Sequence, residues 1–171
     1  DALGSSLAWS TYLRGLGKQV TLAVPDAFPD FLRWQPDVEK IVRYDRHPET
    51  VDKALDDAQL IFCLDFNSPA RLDAMQESFD KSNAKRVMFD HHLAPNIDAV
   101  VCASHPELSS TSEVVFRVLW QLGEFEKIDK KMASTIYSGM MCDTGGFTYN
   151  SNSPEIFFII CQLLTKGIDK D

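Results

Sequence analysis

The sequence lacks long apolar stretches and an excess of basic residues. No apolar run approaches the roughly 18 residues that a membrane-spanning helix needs, so we expect no association with a membrane. Lys and Arg number 17 against 25 Asp and Glu, which gives a formal net charge of −8. A protein that coats long duplex nucleic acid needs a basic face, so the charge argues against such a partner. It does not exclude short phosphate-bearing partners, because bound metal ions can supply positive charge.

Cysteine is scarce and widely spaced. The four cysteines are Cys63, Cys102, Cys142 and Cys161, and no two of them have the Cys-x-x-Cys spacing that is typical of a zinc site. Three of them stand within apolar stretches. The pattern predicts reduced cysteines in the core of a cytoplasmic protein.

Repeats and low-complexity segments are also absent, and 171 residues with 44% apolar content are enough for one domain with a hydrophobic core. Short apolar runs alternate with segments of helical periodicity. This order predicts an α/β fold, with a doubly wound, mainly parallel β-sheet flanked by helices. Strands are predicted over residues 18–24, 40–44, 59–66, 85–89 and 98–104, and helices over 3–16, 48–58, 68–79, 111–122, 129–141 and 154–165.

Two of the predicted strands lead into residues that bind metals in many proteins. The run "QLIFCLDF" contains Asp65 near its end, and "KRVMF" is followed directly by Asp90, His91 and His92. Ligands bind beyond the carboxyl ends of the strands in open α/β sheets, and parallel strands bring those ends to one edge. We therefore expect these side chains to face each other although they are distant in sequence.

Two further acids stand at the ends of predicted elements: Asp1 before the first helix and Asp143 in "MCDTGGF". Several carboxylates with one imidazole suit Mn²⁺, Mg²⁺ or Fe²⁺. Two such ions about 3.5–4 Å apart can share a carboxylate, activate a water and stabilise an in-line displacement at phosphorus. The simpler alternative is that each acid caps or turns the chain, and adjacent histidines diverge if the chain is extended. Only the combination favours a metal site.

Polar residues near these acids are candidates for substrate contact. "SSTSE" (109–113), which contains Thr111, starts a predicted helix and could bind an anion through its amides and hydroxyls, although helix capping explains it equally well. Thr144 could bond a phosphate or its own glycine-rich turn. Asn67 and Arg71 follow the first strand-end acid and are further candidates, although an Arg on a helix face is often solvated.

Several segments resemble the DHH phosphoesterase family. "FDHHLAP" is similar to its signature, and "DALGSSLAWSTYLRGLGKQV" is similar to the segment that starts at the second acid of its first motif, His-x-x-Pro-Asp-x-Asp-Ala-x-Gly-Ser. "LIFCLDFNSPARL" resembles the second motif, and "SSTSEVVFRVL" and "YSGMMCDTGGFTY" resemble two later blocks. The similarity covers nearly the whole chain. Residues 1–171 are therefore expected to form one DHH domain without the His and first Asp of the first motif.

The resemblance implies a role for each residue at a matching position. The implied metal ligands are Asp1, Asp65, His91 and Asp143. Asp65 would be shared between two ions, expected to be Mn²⁺, with Mg²⁺ as the alternative. Asp90 and His92 would orient a ligand or act at the scissile phosphate. Ser5, with Gly4, would shape the start of the first helix beside the metals and lie near the substrate.

The family's short bacterial members act as oligoribonucleases (nano-RNases), as phosphatases of 3'-phosphoadenosine 5'-phosphate, or as phosphodiesterases of cyclic and linear dinucleotides. The resemblance therefore implies a hydrolase that uses two-metal activation of water on short nucleotides. It also implies a C-terminal DHHA1 domain in the same protein, and a homodimer is compatible with it.

Other functions stay open at this point. Relatives of the same architecture cleave inorganic pyrophosphate or polyphosphate, and cyclic di-AMP is a further candidate substrate. A non-catalytic α/β signalling module also carries acids at strand ends. Such a module needs a strand-end Lys and has no use for the imidazole pair of His91 and His92, so the sequence disfavours it.

Overall fold

The computed structural model describes residues 1–170 and confirms the α/β fold, while residue 171 of the expected domain lies outside the described residues. The helices are α1 (Ala2–Gly15), α2 (Pro48–Asp57), α3 (Gln76–Lys81), α4 (Thr111–Gln121), α5 (Lys130–Asp143) and α6 (Pro154–Thr165). The strands are β1 (Ala23–Val24), β2 (Val42–Arg43), β3 (Leu60–Leu64), β4 (Lys85–Asp90) and β5 (Val101–Ser104). Among the described residues, β1 pairs with β2 and β4 lies between β3 and β5, all in parallel.

Helices cover both faces of the three-stranded sheet. Because successive side chains of a strand point to opposite faces, Val87 and Phe89 of β4 pack with α1, α4, α5 and α6, whereas Met88 packs with Cys63 against α2 and α3. This two-sided burial explains why the central strands appear in the sequence as continuous apolar runs.

The segment after β3 differs from the single helix predicted over residues 68–79. Ser68 caps a 3-10 helix over Pro69–Met75, and α3 follows it. Asp73 interrupts the helical geometry, with φ at 47° and ψ at −124°. The hydrophobic pattern could not reveal this kink, because apolar residues continue at helical spacing through it.

The boundaries of other elements also differ from the predicted ones. The strands predicted over 18–24 and 98–104 shorten to β1 and β5, since only these residues pair with a neighbouring strand. The helix predicted over 129–141 extends to Asp143. Asp143 is therefore held by the last turn of α5 rather than by a loop.

The cysteines are only partly as predicted. All four are free, but Cys63 is the only one of them that is buried; Cys102 and Cys161 are exposed. Cys102 lies on β5, at the end of the three-stranded sheet, and Cys161 lies on α6, which also leaves Phe157 and Phe158 about half exposed. A cytoplasmic location remains a prediction. Within residues 1–170, none of the helices combines the length and the apolar character needed to cross a bilayer.

Candidate metal centre

Asp65 and His91 leave the sheet at the same edge because β3 and β4 are parallel neighbours. Leu64 pairs with Phe89 at the end of the two strands, and the N–H of Asp65 donates to the Phe89 carbonyl at 3.1 Å. Asp65 itself has φ at 66°, a left-handed conformation that Asp tolerates better than most residues. The edge predicted from the strand ends is where these side chains lie.

Three carboxylates surround the His91 ring. Nε2 of His91 lies 3.1 Å from Asp143 Oδ2, 3.7 Å from Asp65 Oδ1 and 3.9 Å from Asp1 Oδ2. Asp1 precedes α1 and Asp143 ends α5, so the cluster joins four separate parts of the chain. The structure thus brings together all four residues predicted to be metal ligands, and their binding of a metal remains a prediction.

The backbone fixes the orientation of His91. Its Nδ1 lies 3.4 Å from the carbonyl oxygen of Leu108, so an Nδ1–H donated to that carbonyl leaves the lone pair of Nε2 directed at the carboxylates. A metal-binding histidine usually donates its other ring N–H in this way. Because Nε2 has only one lone pair, it can ligate one ion and cannot bridge two.

The cluster is electrostatically costly without a cation. Burial raises the pKa of Asp65 to about 6, because a charged carboxylate is poorly solvated there. Burial also acts against ionised Asp143, but without a metal the hydrogen bond from Nε2–H and the charge of protonated His91 outweigh it and lower the pKa of Asp143. The same hydrogen bond raises the pKa of His91. Among the described ion pairs, these carboxylates contact only His91.

His92 faces a different partner from His91. Its Nδ1 lies 2.7 Å from Oδ1 of Asp90, a fully buried carboxylate, and the centroids of the two imidazole rings are 4.8 Å apart. With Nδ1–H donated to Asp90, Nε2 of His92 is left free for a ligand or a proton. Its ring nitrogen also lies within 4.8 Å of ligand atoms of Asp65 and His91, so the geometry permits a metal ligand as well.

The first turn of α4 holds two of the carboxylates. Asp1 Oδ1 accepts hydrogen bonds from the backbone N–H of Ser112 at 3.0 Å and from its hydroxyl at 2.6 Å, and Asp1 Oδ2 accepts one from the N–H of Thr111 at 2.6 Å. The Thr111 hydroxyl donates to Asp65 Oδ1 at 2.9 Å. The anion suggested for "SSTSE" is therefore, at least in part, the protein's own Asp1.

Helix capping, the alternative explanation for "SSTSE", is also present. The Ser110 hydroxyl accepts a hydrogen bond from the N–H of Glu113 at 3.0 Å, and the Glu113 carboxylate returns to the N–H of Ser109 at 2.9 Å. The capping box thus closes one residue earlier than its usual form.

A glycine on α5 makes room for this arrangement. A Cβ on Gly139 would lie 1.9 Å from the Ser112 hydroxyl oxygen and 2.9 Å from Asp1 Oδ1. On the facing helix, a Cβ on Gly4 would lie 2.5 Å from the Thr135 carbonyl oxygen. Ser112 was predicted only as part of "SSTSE", whereas Gly139 and the Leu108 carbonyl were not predicted to lie at the site; for Gly139, a glycine inside a predicted helix was the one available signal.

The residues suggested for substrate contact have varied surroundings. Three of them, Ser5, Thr111 and Thr144, are fully buried, and their hydroxyls donate to oxygen atoms of the protein. Asn67 donates to the Leu93 carbonyl at 2.8 Å and so braces the turn after the histidines. Arg71 is exposed. Substrate contact by any of them remains a prediction.

The fold and the site define a class of protein: a parallel α/β domain whose strand ends and helix ends gather three carboxylates and an imidazole suited to a divalent cation. The chain belongs to the DHH family, whose model, described as the DHH family N-terminal domain, matches residues 1–140.

Relatives extend this result to nearly the whole chain. It is 27% identical over 169 residues to the bifunctional oligoribonuclease and PAP phosphatase NrnA of Thermus thermophilus, covering 98% of this chain and 47% of that protein. It is also 28% identical over 105 residues to an uncharacterised protein of Mycoplasma pneumoniae, the MG371 homolog, covering 54% of this chain and 32% of that protein.

A solved structure is similar throughout. The exopolyphosphatase-related protein of Bacteroides fragilis has a TM-score of 0.98 and 51% identity over 100% of this chain and 50% of that chain. The chain therefore spans about half of the Thermus and Bacteroides proteins and about a third of the Mycoplasma protein.

Proposed function

We propose that this protein is a metal-dependent phosphoesterase that hydrolyses short nucleotides, namely oligoribonucleotides, dinucleotides or 3'-phosphoadenosine 5'-phosphate. The observation that carries the proposal is the convergence of Asp1, Asp65 and Asp143 within 3.9 Å of His91 Nε2. The similarity to an oligoribonuclease and PAP phosphatase over 98% of the chain supports the same substrate class.

The ligand atoms present fit a divalent cation. One imidazole nitrogen and three carboxylate oxygens are a donor set for Mn²⁺, and Mg²⁺ accepts the carboxylates equally. The metal would be held by Asp1, Asp65, His91 and Asp143. We propose that the protein binds two ions, with Mn²⁺ as the expected metal and Mg²⁺ as the alternative. When bound, the metal lowers the pKa of a coordinated water and neutralises charge on the phosphoryl oxygens.

The side chains beside the metal ligands then have distinct tasks. Asp90 holds the His92 ring through its 2.7 Å hydrogen bond, so that His92 presents Nε2 in a fixed direction. From there His92 can donate a proton to the oxygen that leaves phosphorus, or hydrogen-bond a phosphoryl oxygen. Arg71 and Asn67 lie after β3 at the same edge and are proposed to contact the substrate.

A second candidate substrate class has an observation of its own. The similar Bacteroides structure is of an exopolyphosphatase-related protein, which favours a test of inorganic polyphosphate and pyrophosphate. Cyclic di-AMP belongs in the same test. A following DHHA1 domain and a homodimer are also proposed, and analytical ultracentrifugation of the whole protein would measure the latter.

The decisive experiment is a substrate panel on the whole protein. A dinucleotide, 3'-phosphoadenosine 5'-phosphate, cyclic di-AMP and a short polyphosphate are each incubated with Mn²⁺, with Mg²⁺ and with a chelator, and product is quantified by chromatography. We expect turnover of the first two with Mn²⁺ and loss of turnover with chelator. Selective cleavage of polyphosphate would overturn the nucleotide assignment, and unchanged turnover in chelator would overturn the metal.

Asp65→Asn is the matched variant for this panel. Asn keeps the size of the side chain and, like Asp, tolerates the left-handed conformation at φ 66°, so the fold is preserved while a charged ligand is lost. We expect the variant to lose at least about 100-fold in kcat, because loss of a ligand should cost no less than the roughly 10–100-fold that loss of a ligand's hydrogen-bonding partner costs. Near wild-type turnover would contradict Asp65 as a ligand.

A further inference from the structure

The carboxylates of Asp1 and Asp65 come from different elements, yet one short segment contacts both. The backbone N–H of Thr111 donates to Asp1 Oδ2 at 2.6 Å, and its hydroxyl donates to Asp65 Oδ1 at 2.9 Å. It is fully buried, and so is Ser112. The relative position of two candidate metal ligands therefore depends on a single threonine and its neighbour.

The hydrogen bonds also distinguish the two oxygens of Asp1. Oδ1 accepts two hydrogen bonds, both from Ser112, whereas Oδ2 accepts one from Thr111. Oδ2 is the oxygen that lies 3.9 Å from His91 Nε2. Ser112 thus donates both of its hydrogen bonds to the other oxygen, Oδ1, and leaves Oδ2 with a lone pair for a ligand.

Close packing keeps this arrangement from relaxing. Gly139 allows α5 to approach until a Cβ there would lie 1.9 Å from the Ser112 hydroxyl oxygen. The Asp1 side chain is only 1% exposed, so water cannot readily replace a hydrogen bond that is lost. Removing a donor from a buried carboxylate costs far more than removing one at the surface.

We propose that Thr111 and Ser112 are positioning residues that hold Asp1 and Asp65 in one fixed arrangement around His91 and thereby set the affinity for the metal. The inference rests on the proposed metal-dependent function and assigns Thr111 an action through Asp65 rather than through the substrate. A ligand that is oriented before the metal arrives loses less freedom on binding, and partners of metal ligands typically contribute 10–100-fold in affinity.

Two conservative substitutions isolate the hydroxyls. Thr111→Val removes the donor to Asp65 but keeps the shape of the side chain and the backbone N–H that binds Asp1. Ser112→Ala removes one of the two donors to Asp1 Oδ1. Mn²⁺ affinity of the whole protein is measured by isothermal titration calorimetry, and we expect each variant to bind Mn²⁺ about 10–100-fold more weakly than the wild type.

Matched controls separate positioning from general damage. Ser10→Ala and Thr135→Val each remove a buried hydroxyl that donates to a backbone carbonyl of its own helix, and both should bind Mn²⁺ within about threefold of the wild type. Thr111→Ser restores a hydroxyl and should recover most of the lost affinity. Equal loss in the controls, or wild-type affinity in Thr111→Val and Ser112→Ala, would overturn the proposal.

Kinetics distinguish this role from substrate contact. If Thr111 acts through Asp65, raising Mn²⁺ should restore kcat of Thr111→Val to within about threefold while the KM for the nucleotide stays unchanged. A raised KM that persists at saturating Mn²⁺ would instead place Thr111 on the substrate. If the wild type binds no divalent metal, the proposed function itself fails; if it does and the variants match it, only this inference fails.

Discussion

His91 and His92 are adjacent in sequence but lie in different surroundings. His91 is held by the Leu108 carbonyl on one side and by Asp143 on the other, whereas His92 is held by buried Asp90. Adjacent histidines diverge if the chain is extended, but here the ring centroids lie only 4.8 Å apart and the rings are tilted 58° to each other. Each ring has its Nδ1 on an oxygen atom and presents its Nε2, so the assignment of His91 as ligand and His92 as proton donor remains a prediction.

We predict that His92→Gln lowers kcat while leaving the metal in place. Loss of a positioned acid typically costs 10²–10⁴-fold in rate, and we expect a loss of at least about 100-fold, with Mn²⁺ affinity within about threefold of the wild type. His91→Gln is the comparison and should lose Mn²⁺ binding itself. Calorimetry for Mn²⁺ and steady-state kinetics on a dinucleotide measure the two effects; a parallel loss of Mn²⁺ in His92→Gln would make His92 a ligand with Asp65.

Residue-level prediction succeeded where strand ends decide the outcome. Asp65, Asp90 and His91 could be placed at one edge because parallel strands align their carboxyl ends. Ser112 could not be assigned to Asp1, because that contact depends on how α1, α4 and α5 pack, and no local pattern encodes it. The exposure of Cys102 likewise follows from the place of β5 at the edge of the sheet rather than from the apolar run that contains it.

At the scale of elements, three helices meet at the site. α1 brings Asp1, α4 supplies the donors, and α5 carries both Gly139 and Asp143. Helix positions were largely predictable from apolar spacing and from helix capping at "SSTSE", where Ser110 is the cap. The interruption of the helix at Asp73 was not predictable, because a backbone kink leaves the spacing of the hydrophobic residues unchanged.

We predict that Gly139→Ala damages the site through packing alone. The new methyl group would overlap Ser112 and press on Asp1, and overpacking of this kind typically costs 1–3 kcal/mol. We expect a loss of about 2 kcal/mol in the free energy of unfolding, measured with urea, and Mn²⁺ affinity at least about tenfold weaker because both Asp1 oxygens are displaced.

Gly15→Ala is the matched control, since nothing lies within 4 Å of a Cβ at Gly15 and its φ is not positive. Replacing glycine where the backbone allows it usually stabilises by about 0.4–1 kcal/mol. We expect unchanged Mn²⁺ affinity and equal or higher stability for this variant. A Gly139→Ala protein that is as stable and binds Mn²⁺ as well as Gly15→Ala would show that the α4–α5 contact does not control the site.

At the scale of the molecule, the fold brings carboxylates together in a chain that is already negatively charged, which disfavours the folded state electrostatically. The chain carries a net charge of −8, and the fold adds a local concentration of three carboxylates at one edge of the sheet. The fold class could be predicted because strands alternate with helices along the whole chain, and the two cores on either face of the sheet follow from that order. The extent to which the acids are buried could not be predicted, because it depends on how α1, α4 and α5 pack together.

A divalent cation should therefore stabilise the whole domain. A ligand that binds only the folded state at a hundredfold excess over its Kd adds about 2.7 kcal/mol, so we expect saturating Mn²⁺ to raise the Tm of the metal-free protein by about 5–10 °C. Differential scanning calorimetry measures the shift. Constant ionic strength keeps the general screening of the net charge equal in the samples with and without Mn²⁺. Asp65→Asn should lose most of the shift, because one ligand is neutral, while Gly15→Ala should keep it. A shift of the same size in Asp65→Asn would mean that Mn²⁺ stabilises the protein elsewhere than at the His91 cluster.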